Sequence, residues 1–278
     1  MVDHDTCREV TVISRGPLSQ AGQQSGLWRL AVANPGWDKV AAGQFAMLRP
    51  PSFGLEMAWA RPFSIFGVTP GTVEFFIQTT GRGTARLAEL SPGDPLVMWG
   101  PLGRGFAVEP DTPTLLLAGG VGIAPFGPYI ASHPAPGILR LLFGHRVPLD
   151  AYPFAAMAGT IRAESFHEKE PGDLDRFLGL LRERVAGYSG GLVLACGPRP
   201  FLAAVADMGR AVGARVQVSL ENRMACGVGA CLGCVEKDVT GQLLQTCVRG
   251  PVFWAKDLAA FSGEPGTAGE SGGCACGS

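Results

Sequence analysis

Four residues, then two, then twelve separate Cys226, Cys231, Cys234 and Cys247. Thiolates at that spacing suit a [2Fe–2S] cluster of the plant type, three from one tight loop and the fourth from a segment returning past a hairpin. Each iron takes two thiolates, so the loop must turn its sulfurs inward while its backbone N–H groups face the sulfides. Gly227, Gly229 and Gly233 stand between the ligands, where the lack of a Cβ permits left-handed dihedrals and close approach. Two other readings compete. A structural zinc site more often uses two separate C-x2-C pairs than three ligands on one glycine-rich loop. Disulfides would strain so tight a loop and are disfavoured in a reducing compartment.

The elements that must hold such a loop fall into two kinds. Residues 1 to about 108 carry short β-type runs, Glu9–Ile13, Trp28–Val32, Val73–Ile77 and Pro95–Trp99, punctuated by turn residues, which predicts an antiparallel barrel or sandwich. After Asp111-Thr112-Pro113 the rhythm changes to strands alternating with helices: Thr114–Ala118, Ala124–Ser132, Ile138–Phe143, then a helix over Asp173–Val185, a strand over Leu192–Cys196, a helix over 198–212 with Pro198 at its first position, and a strand over Arg215–Leu220. The expected division is 1–110 barrel, 111–217 parallel α/β unit, 218–257 cluster module and 258–278 a flexible tail rich in Gly, Ser and Glu. The fold class is therefore multidomain, a β-barrel followed by a parallel-sheet α/β domain and a small carboxyl-terminal [2Fe–2S] module.

Composition narrows the partners. Of 278 residues, 46% are apolar and 17% charged, and the formal net charge is -1, so no basic surface argues for nucleic acid or an anionic membrane. No apolar run reaches the roughly 18 to 20 residues of a membrane helix. The first twelve residues are charged and lack an apolar h-region, which predicts a cytoplasmic chain.

The barrel half holds one set of phosphate-binding signals. Arg61-Pro62-Phe63-Ser64 places a planar guanidinium and a hydroxyl where both reach one phosphate, although an Arg–carboxylate surface pair would look the same. Gly81-Arg82-Gly83-Thr84 ends another strand and starts a helix, so a dinucleotide with its pyrophosphate at Gly83 and Thr84 is coherent. The α/β half holds a second set. Gly119, Gly120 and Gly122 follow a strand, with Pro125 where the dinucleotide fingerprint has its third glycine, a pattern that fits nucleotide binding or tight packing equally. Cys196, Gly197 and Pro198 end the strand Leu192–Cys196, and ligands of parallel sheets gather at such strand ends.

Together RPFSI, GRGT, GPLGRGF, LLLAGGVGIAPF, CGPRPFL, ENRMACGVGACLGC and TCVRGPVF resemble the ferredoxin–NADP reductase superfamily and, within it, the electron-transfer subunits of class 1B dihydroorotate dehydrogenases, over roughly residues 9 to 254. That resemblance implies three cofactors: FAD, NAD (NADP possible) and a [2Fe–2S] cluster. It implies that Arg61, Pro62, Phe63 and Ser64 bind FAD with Phe76, Ile77, Gln78, Gly83 and Thr84, that the glycine loop and Cys196–Pro198 face the nicotinamide nucleotide, and that the four cysteines hold the cluster. It also implies an FMN-containing dihydroorotate dehydrogenase catalytic subunit as partner, in a hetero-oligomer, with electrons reaching NAD. Other partners stay open: a hydrogenase, a sulfide dehydrogenase or a bifurcating ferredoxin–NADP oxidoreductase. A redox sensor without hydride transfer is a further alternative, though it would need no pair of dinucleotide loops.

No protein side chain is expected to act as a catalytic nucleophile, because hydride chemistry belongs to the cofactors; Cys196 is read as positioning or packing. Phe253 and Trp254 either cover the cluster or fill the core. Arg146, after the second α/β strand, would tolerate a 2′-phosphate where an acidic residue would favour a ribose hydroxyl. Cys7, Cys274 and Cys276 remain without an assigned role.

Overall fold

The computed structural model describes residues 7–263. Cys274 and Cys276 lie outside the described residues. Six strands, β1 (Cys7–Gly16), β2 (Leu27–Ala33), β3 (Phe45–Arg49), β4 (Arg61–Val68), β5 (Thr72–Gln78) and β6 (Pro95–Leu102), close an antiparallel barrel in the order β1-β2-β5-β4-β3-β6. Alternation favours closure: along β6, Leu96, Met98, Gly100 and Leu102 are buried between more exposed neighbours, and Leu96 and Met98 join Val10, Leu30, Leu48 and Phe75 in the barrel core. Helix α1 (Gln20–Ser25), capped by the Ser19 hydroxyl accepting from the Gly22 N–H, links β1 to β2, and α2 (Arg82–Ala88) follows β5.

The second unit is a six-stranded sheet of β7 (Thr114–Gly119), β8 (Leu139–His145), β9 (Arg162–His167), β10 (Leu192–Cys196), β11 (Arg215–Ser219) and a late strand, with helices α3 (Phe126–Ser132), α4 (Phe154–Ala158), α5 (Asp173–Ala186) and α6 (Arg199–Val212). The first five strands run parallel in the order β11-β10-β7-β8-β9. Chain order reverses direction between β7 and β10, which opens a crevice at their carboxyl ends. β10 is buried at every position, as a central parallel strand should be. One face packs Leu115, Leu117, Val193 and Ala195 on Phe177, Leu181, Leu202 and Val205 of α5 and α6. The other packs Leu116 and Leu194 on Phe126 and Tyr129, in a core that also contains the barrel's Leu27 and Phe76. The two units thus share one apolar joint.

A hairpin of β12 (Val235–Lys237) and β13 (Leu243–Gln245), then α7 (Thr246–Arg249), completes the cysteine segment. One open alternative is resolved here and two sequence expectations need correction. The late strand β14 (Val252–Trp254) leaves that segment and pairs antiparallel with β11, so Phe253 packs in the sheet's core and Trp254 against the other face, the core-filling one of the two roles the sequence left open. Residues expected to begin a flexible tail at 258 do not: Leu258 and Phe261 are buried in the same core as α6, because both are large apolar side chains. Helix α3 starts at Phe126, later than expected, since Gly120–Ile123 forms a 3-10 turn, and Pro198 precedes α6 in an extended conformation while Pro200 occupies its first turn.

Candidate functional site

β4 presents Arg61, Pro62, Phe63 and Ser64 half-buried in succession, paired with β3 so that Ser64 faces Phe45 and Pro62 faces Met47. The Arg61 Nη1 donates to the carbonyls of Trp59 (2.7 Å) and Ala60 (3.2 Å), and its guanidinium lies over the Phe53 ring, 5.5 Å from the centroid. These contacts aim the fork before any ligand arrives. Gly83 sits against it: a Cβ there would stand 2.7 Å from Arg61 Nε. The Thr84 hydroxyl accepts from the N–H groups of Thr80 (2.9 Å) and Gly81 (3.1 Å) and donates to the Gly81 carbonyl (3.0 Å), which fastens the Gly81–Gly83 turn.

The two glycine loops of the sheet meet. A Cβ on Gly122 would overlap the Cys196 carbonyl oxygen and stand 2.9 Å from the Gly197 nitrogen. Here glycine is required by close packing of one strand-end loop on the other, one of the two roles the sequence left open. Gly120 differs, with φ 55° and open space where a Cβ would be. Gly119 lies beside Pro198, whose Cδ would be 3.2 Å from its Cβ. Burial raises the Cys196 thiol to about 12, which leaves it protonated and inert, consistent with packing.

Barrel strands and sheet loops enclose one cavity of about 950 Å³. Arg61, Pro62, Phe63, Ser64, Phe76, Ile77, Gln78 and Thr84 line one side, and Gly119, Gly120, Gly122, Cys196, Gly197 and Pro198 the other. Of the residues expected for FAD and nucleotide, Gly83 alone stands behind the lining, supporting Arg61. Sequence reasoning missed several lining residues: Phe45, Tyr152, Glu168, Ser219, Glu221 and Asn222. Glu221 and Asn222 stand in the ENRM run just before the first cluster cysteine, a position that signalled proximity. Glu221 reaches solvent through the cavity, yet enough protein surrounds its carboxyl that desolvation pushes its pKa up. Arg146 is paired with Glu168, Nη2 to Oε2 at 3.2 Å. His145 is buried, stacked on Phe143 and beside His167, and desolvation lowers its pKa although its Nδ1 meets the Val147 carbonyl at 2.7 Å.

The four cysteines come together as two pairs. Cys226 Sγ lies 3.4 Å from Cys231 Sγ, while Cys234 and Cys247 are both buried with Phe45, Met47 and Leu102. Backbone N–H groups point at the sulfurs: Val228 (3.5 Å) and Cys231 (3.4 Å) at Cys226, and Gly229 (3.1 Å) at Cys247. Gly227 and Gly229 take φ 73° and 82°, as expected, but the third left-handed residue is Leu232 (φ 54°), not Gly233. Backbone hydrogen bonds lower the Cys231 thiol to about 7, whereas burial, then the neighbouring Cys234, raises Cys247 to about 12. Among the described residues no three His, Cys, Asp or Glu side chains gather as around one ion. Two thiol pairs with inward N–H groups suit two bridged irons better than one zinc.

The loop is seated on the barrel. The Trp99 indole N–H donates to the Cys226 carbonyl at 3.0 Å, and a Cβ on Gly227 would lie 2.5 Å from Met47 Cγ. Met47 is the register partner of Pro62, so the strand beneath the cysteine loop is also the neighbour of the Arg61–Ser64 strand.

Comparison with known proteins agrees with this geometry. Residues 221–259 match the model of the iron–sulfur cluster binding domain of dihydroorotate dehydrogenase B. The chain is 34% identical over 203 residues to the electron transfer subunit of dihydroorotate dehydrogenase B (NAD(+)) from Caldanaerobacter subterraneus subsp. tengcongensis, covering 71% of this chain and 80% of that protein. The chain belongs to this electron-transfer subunit family. A homolog of that subunit from Aquifex aeolicus is 33% identical over 245 residues, covering 82% of this chain and 90% of its own. Among solved structures, that of an NADH-dependent reduced ferredoxin–NADP oxidoreductase aligns with TM-score 0.73 at 21% identity over 90% of this chain and 89% of its own. A ferredoxin–NADP+ reductase from Neisseria gonorrhoeae with bound FAD and NADP aligns with TM-score 0.58 at 17% identity over 77% and 99%. The family therefore comprises oxidoreductase subunits on a ferredoxin-reductase-like fold, with the cysteine segment as its iron–sulfur domain.

Proposed function

We propose that this chain carries reducing equivalents between an FMN-containing dihydroorotate dehydrogenase catalytic subunit, its partner in a hetero-oligomer, and NAD+, in pyrimidine biosynthesis. The observation that carries this reading is the single cavity shared by the Arg61–Ser64 strand and both sheet loops, with the cysteine loop docked on the neighbouring barrel strand. When bound, FAD and the [2Fe–2S] cluster supply the exchange between two-electron hydride chemistry and single electrons.

The chain's own residues bind, orient and exclude water. Arg61 and Ser64 offer a fork and a hydroxyl to the FAD phosphates, and Phe76, Ile77 and Gln78 supply the wall for its ring. Gly119, Gly120 and Gly122 would let a nicotinamide nucleotide approach the backbone, with Cys196, Gly197 and Pro198 lining the same part of the cavity. Cys226, Cys231, Cys234 and Cys247 would ligate the irons, and the buried Phe45, Met47 and Leu102 would keep water from the Cys234–Cys247 side. Glu168 holds Arg146 and brings a carboxylate to the cavity, which favours NAD over NADP. A reducing compartment, the cytoplasm, keeps these thiols available for iron. Among the described residues no helix is long and apolar enough to cross a membrane.

The test is co-purification with the candidate FMN dehydrogenase, then anaerobic addition of dihydroorotate while flavin absorbance and the cluster's EPR signal are recorded. Reduction of both, passed on to NAD+, supports the reading. Prompt reduction by NADH with none by dihydroorotate would keep the reductase and assign it to another redox partner.

A further inference from the structure

One carboxylate joins the nucleotide loop to the cysteine segment. Arg199 opens α6 directly after Gly197 and Pro198, and its guanidinium grips Glu236 through Nη1 to Oε1 and Nη2 to Oε2, each 2.7 Å. Glu236 lies in β12, and its side chain keeps 10% of its surface exposed. Its Oε1 also accepts from Asn222 Nδ2 at 2.9 Å, and the same nitrogen donates to Thr246 Oγ1 at 2.8 Å. Thr246 is fully buried, immediately precedes Cys247, and donates its backbone N–H to the Cys234 carbonyl at 2.8 Å. A chain of hydrogen bonds therefore runs from the start of α6, just after Gly197 and Pro198, to the backbone carbonyl of Cys234 and to Thr246, the residue before Cys247. Asn222 itself lines the cavity.

Net stability does not account for this arrangement. Arg199 keeps 47% of its side-chain surface exposed, so solvent screens the pair and it adds little stability, whereas removing the arginine leaves the mostly buried Glu236 carboxylate without its charged partner. What the bidentate fork adds is direction, since a planar guanidinium accepts a carboxylate in few orientations. In the Arg184–Glu164 bridge on α5 and β9 it is the carboxylate that differs: Glu164 is 43% exposed where Glu236 is 10%, while the arginines are comparably open at 38% and 47%.

We propose that Glu236 is a positioning residue that fixes the nucleotide loop, through Arg199, and the Cys234–Cys247 side of the cysteine loop, through Asn222 and Thr246, so that one carboxylate sets both NAD(H) affinity and the seating of those two thiols. This rests on the cofactor assignment proposed above. The test uses the full chain carrying Glu236→Gln, Arg199→Met or both, with Glu164→Gln as reference. Readouts are KM and kcat for NADH-dependent dye reduction, the EPR line shape of the reduced cluster, and amide hydrogen exchange at Thr246 and Cys247 in the metal-free chain.

Glu236→Gln should raise the KM for NADH about tenfold with kcat within about twofold, alter the line shape, and speed exchange at Thr246. Arg199→Met should raise the KM similarly, and the double variant should be no worse than the worse single one, as for members of one network. Glu164→Gln should change none of these. A Glu236→Gln chain with wild-type KM and exchange overturns the proposal, as do effects of the two substitutions that simply add. If Glu236→Gln does not assemble its cluster, Arg199→Met is judged by the same criteria. Dye reduction by the unaltered chain tests the cofactor assignment separately: if it fails, that assignment fails, and if it succeeds while the variants are indifferent, this proposal alone falls.

Discussion

Gly122→Ala probes the joint between the two strand-end loops with one methyl group. The added Cβ would overlap the Cys196 carbonyl oxygen, lie 2.6 Å from its carbon and 2.9 Å from the Gly197 nitrogen. All three are backbone atoms, so no side-chain rotation relieves the clash. Restoring ordinary van der Waals contact requires the loops to part by roughly 1 Å, and overpacking of this kind costs about 1–3 kcal/mol of stability. A displacement of that size at a positioned reactant can cost on the order of a hundredfold in rate.

NADH-dependent dye reduction should therefore fall by roughly 30- to 100-fold, with flavin content unchanged, because the Arg61–Ser64 strand lies on the opposite wall of the cavity. Gly179→Ala in α5 is the matched control: nothing lies within 4 Å of the new methyl, and the helix should gain about 0.5–1 kcal/mol. Stopped-flow flavin reduction by NADH, together with thermal melting, decides the matter. A Gly122→Ala chain that reduces its flavin at the native rate would refute the contact between loops as the element that shapes the nucleotide site.

Gly83→Ala should weaken FAD retention about tenfold, since its Cβ would displace Arg61 Nε from 2.7 Å, measured as flavin remaining after gel filtration. Glu168→Gln should raise the ratio of kcat/KM for NADPH over NADH about tenfold, because it removes a carboxylate from the cavity and releases Arg146 from its 3.2 Å pair; an unchanged ratio would exclude this pair as the discriminator. Trp99→Phe removes the hydrogen bond to the Cys226 carbonyl and should cost about 1 kcal/mol, seen as faster bleaching of the cluster by a chelator. His145 has a depressed folded-state pKa from desolvation, so the unfolded chain binds its proton first as pH falls. Its contribution is complete above the ordinary value of about 6.5 and is lost as pH drops toward the folded value. The melting temperature should decline through that window, and His145→Asn should flatten the decline.

The local parts of this molecule were legible because their signals are local. The RPFS run and the two glycine loops each lie within a dozen residues and the four cysteines within 22, and period-two alternation or continuous apolar runs marked β6 and β10. The sequence could not show which distant pieces touch. Trp99 reaches Cys226 across 127 positions and Arg199 reaches Glu236 across 37, and neither end of either pair bears a mark of its partner. The packing of 252–261 was only partly legible for the same reason: core packing of Phe253 stood as one of two readings, and the burial of 258–261 was not expected. Phe253, Leu258 and Phe261 are apolar, but only the open edge of β11 and the outer face of α6 give them somewhere to go.

The third left-handed position of the cysteine loop shows the limit of reading glycine as conformation. Gly233 was expected to take it, yet Leu232 does, with its side chain 58% exposed, so the strain of φ 54° falls on a residue whose bulk meets solvent and not the thiols. A Cβ on Gly233 would meet Cys231 Sγ at 3.6 Å, an ordinary contact, so only a side chain that extends beyond the Cβ would crowd that thiol. Leu232→Gly should then relax the backbone and stabilise the loop or leave it unchanged, whereas a large residue at 233 should crowd the more exposed thiol pair and lower cluster occupancy. Iron content of the two purified variants separates the roles, and equal loss in both would show that φ and proximity had been assigned to the wrong residues.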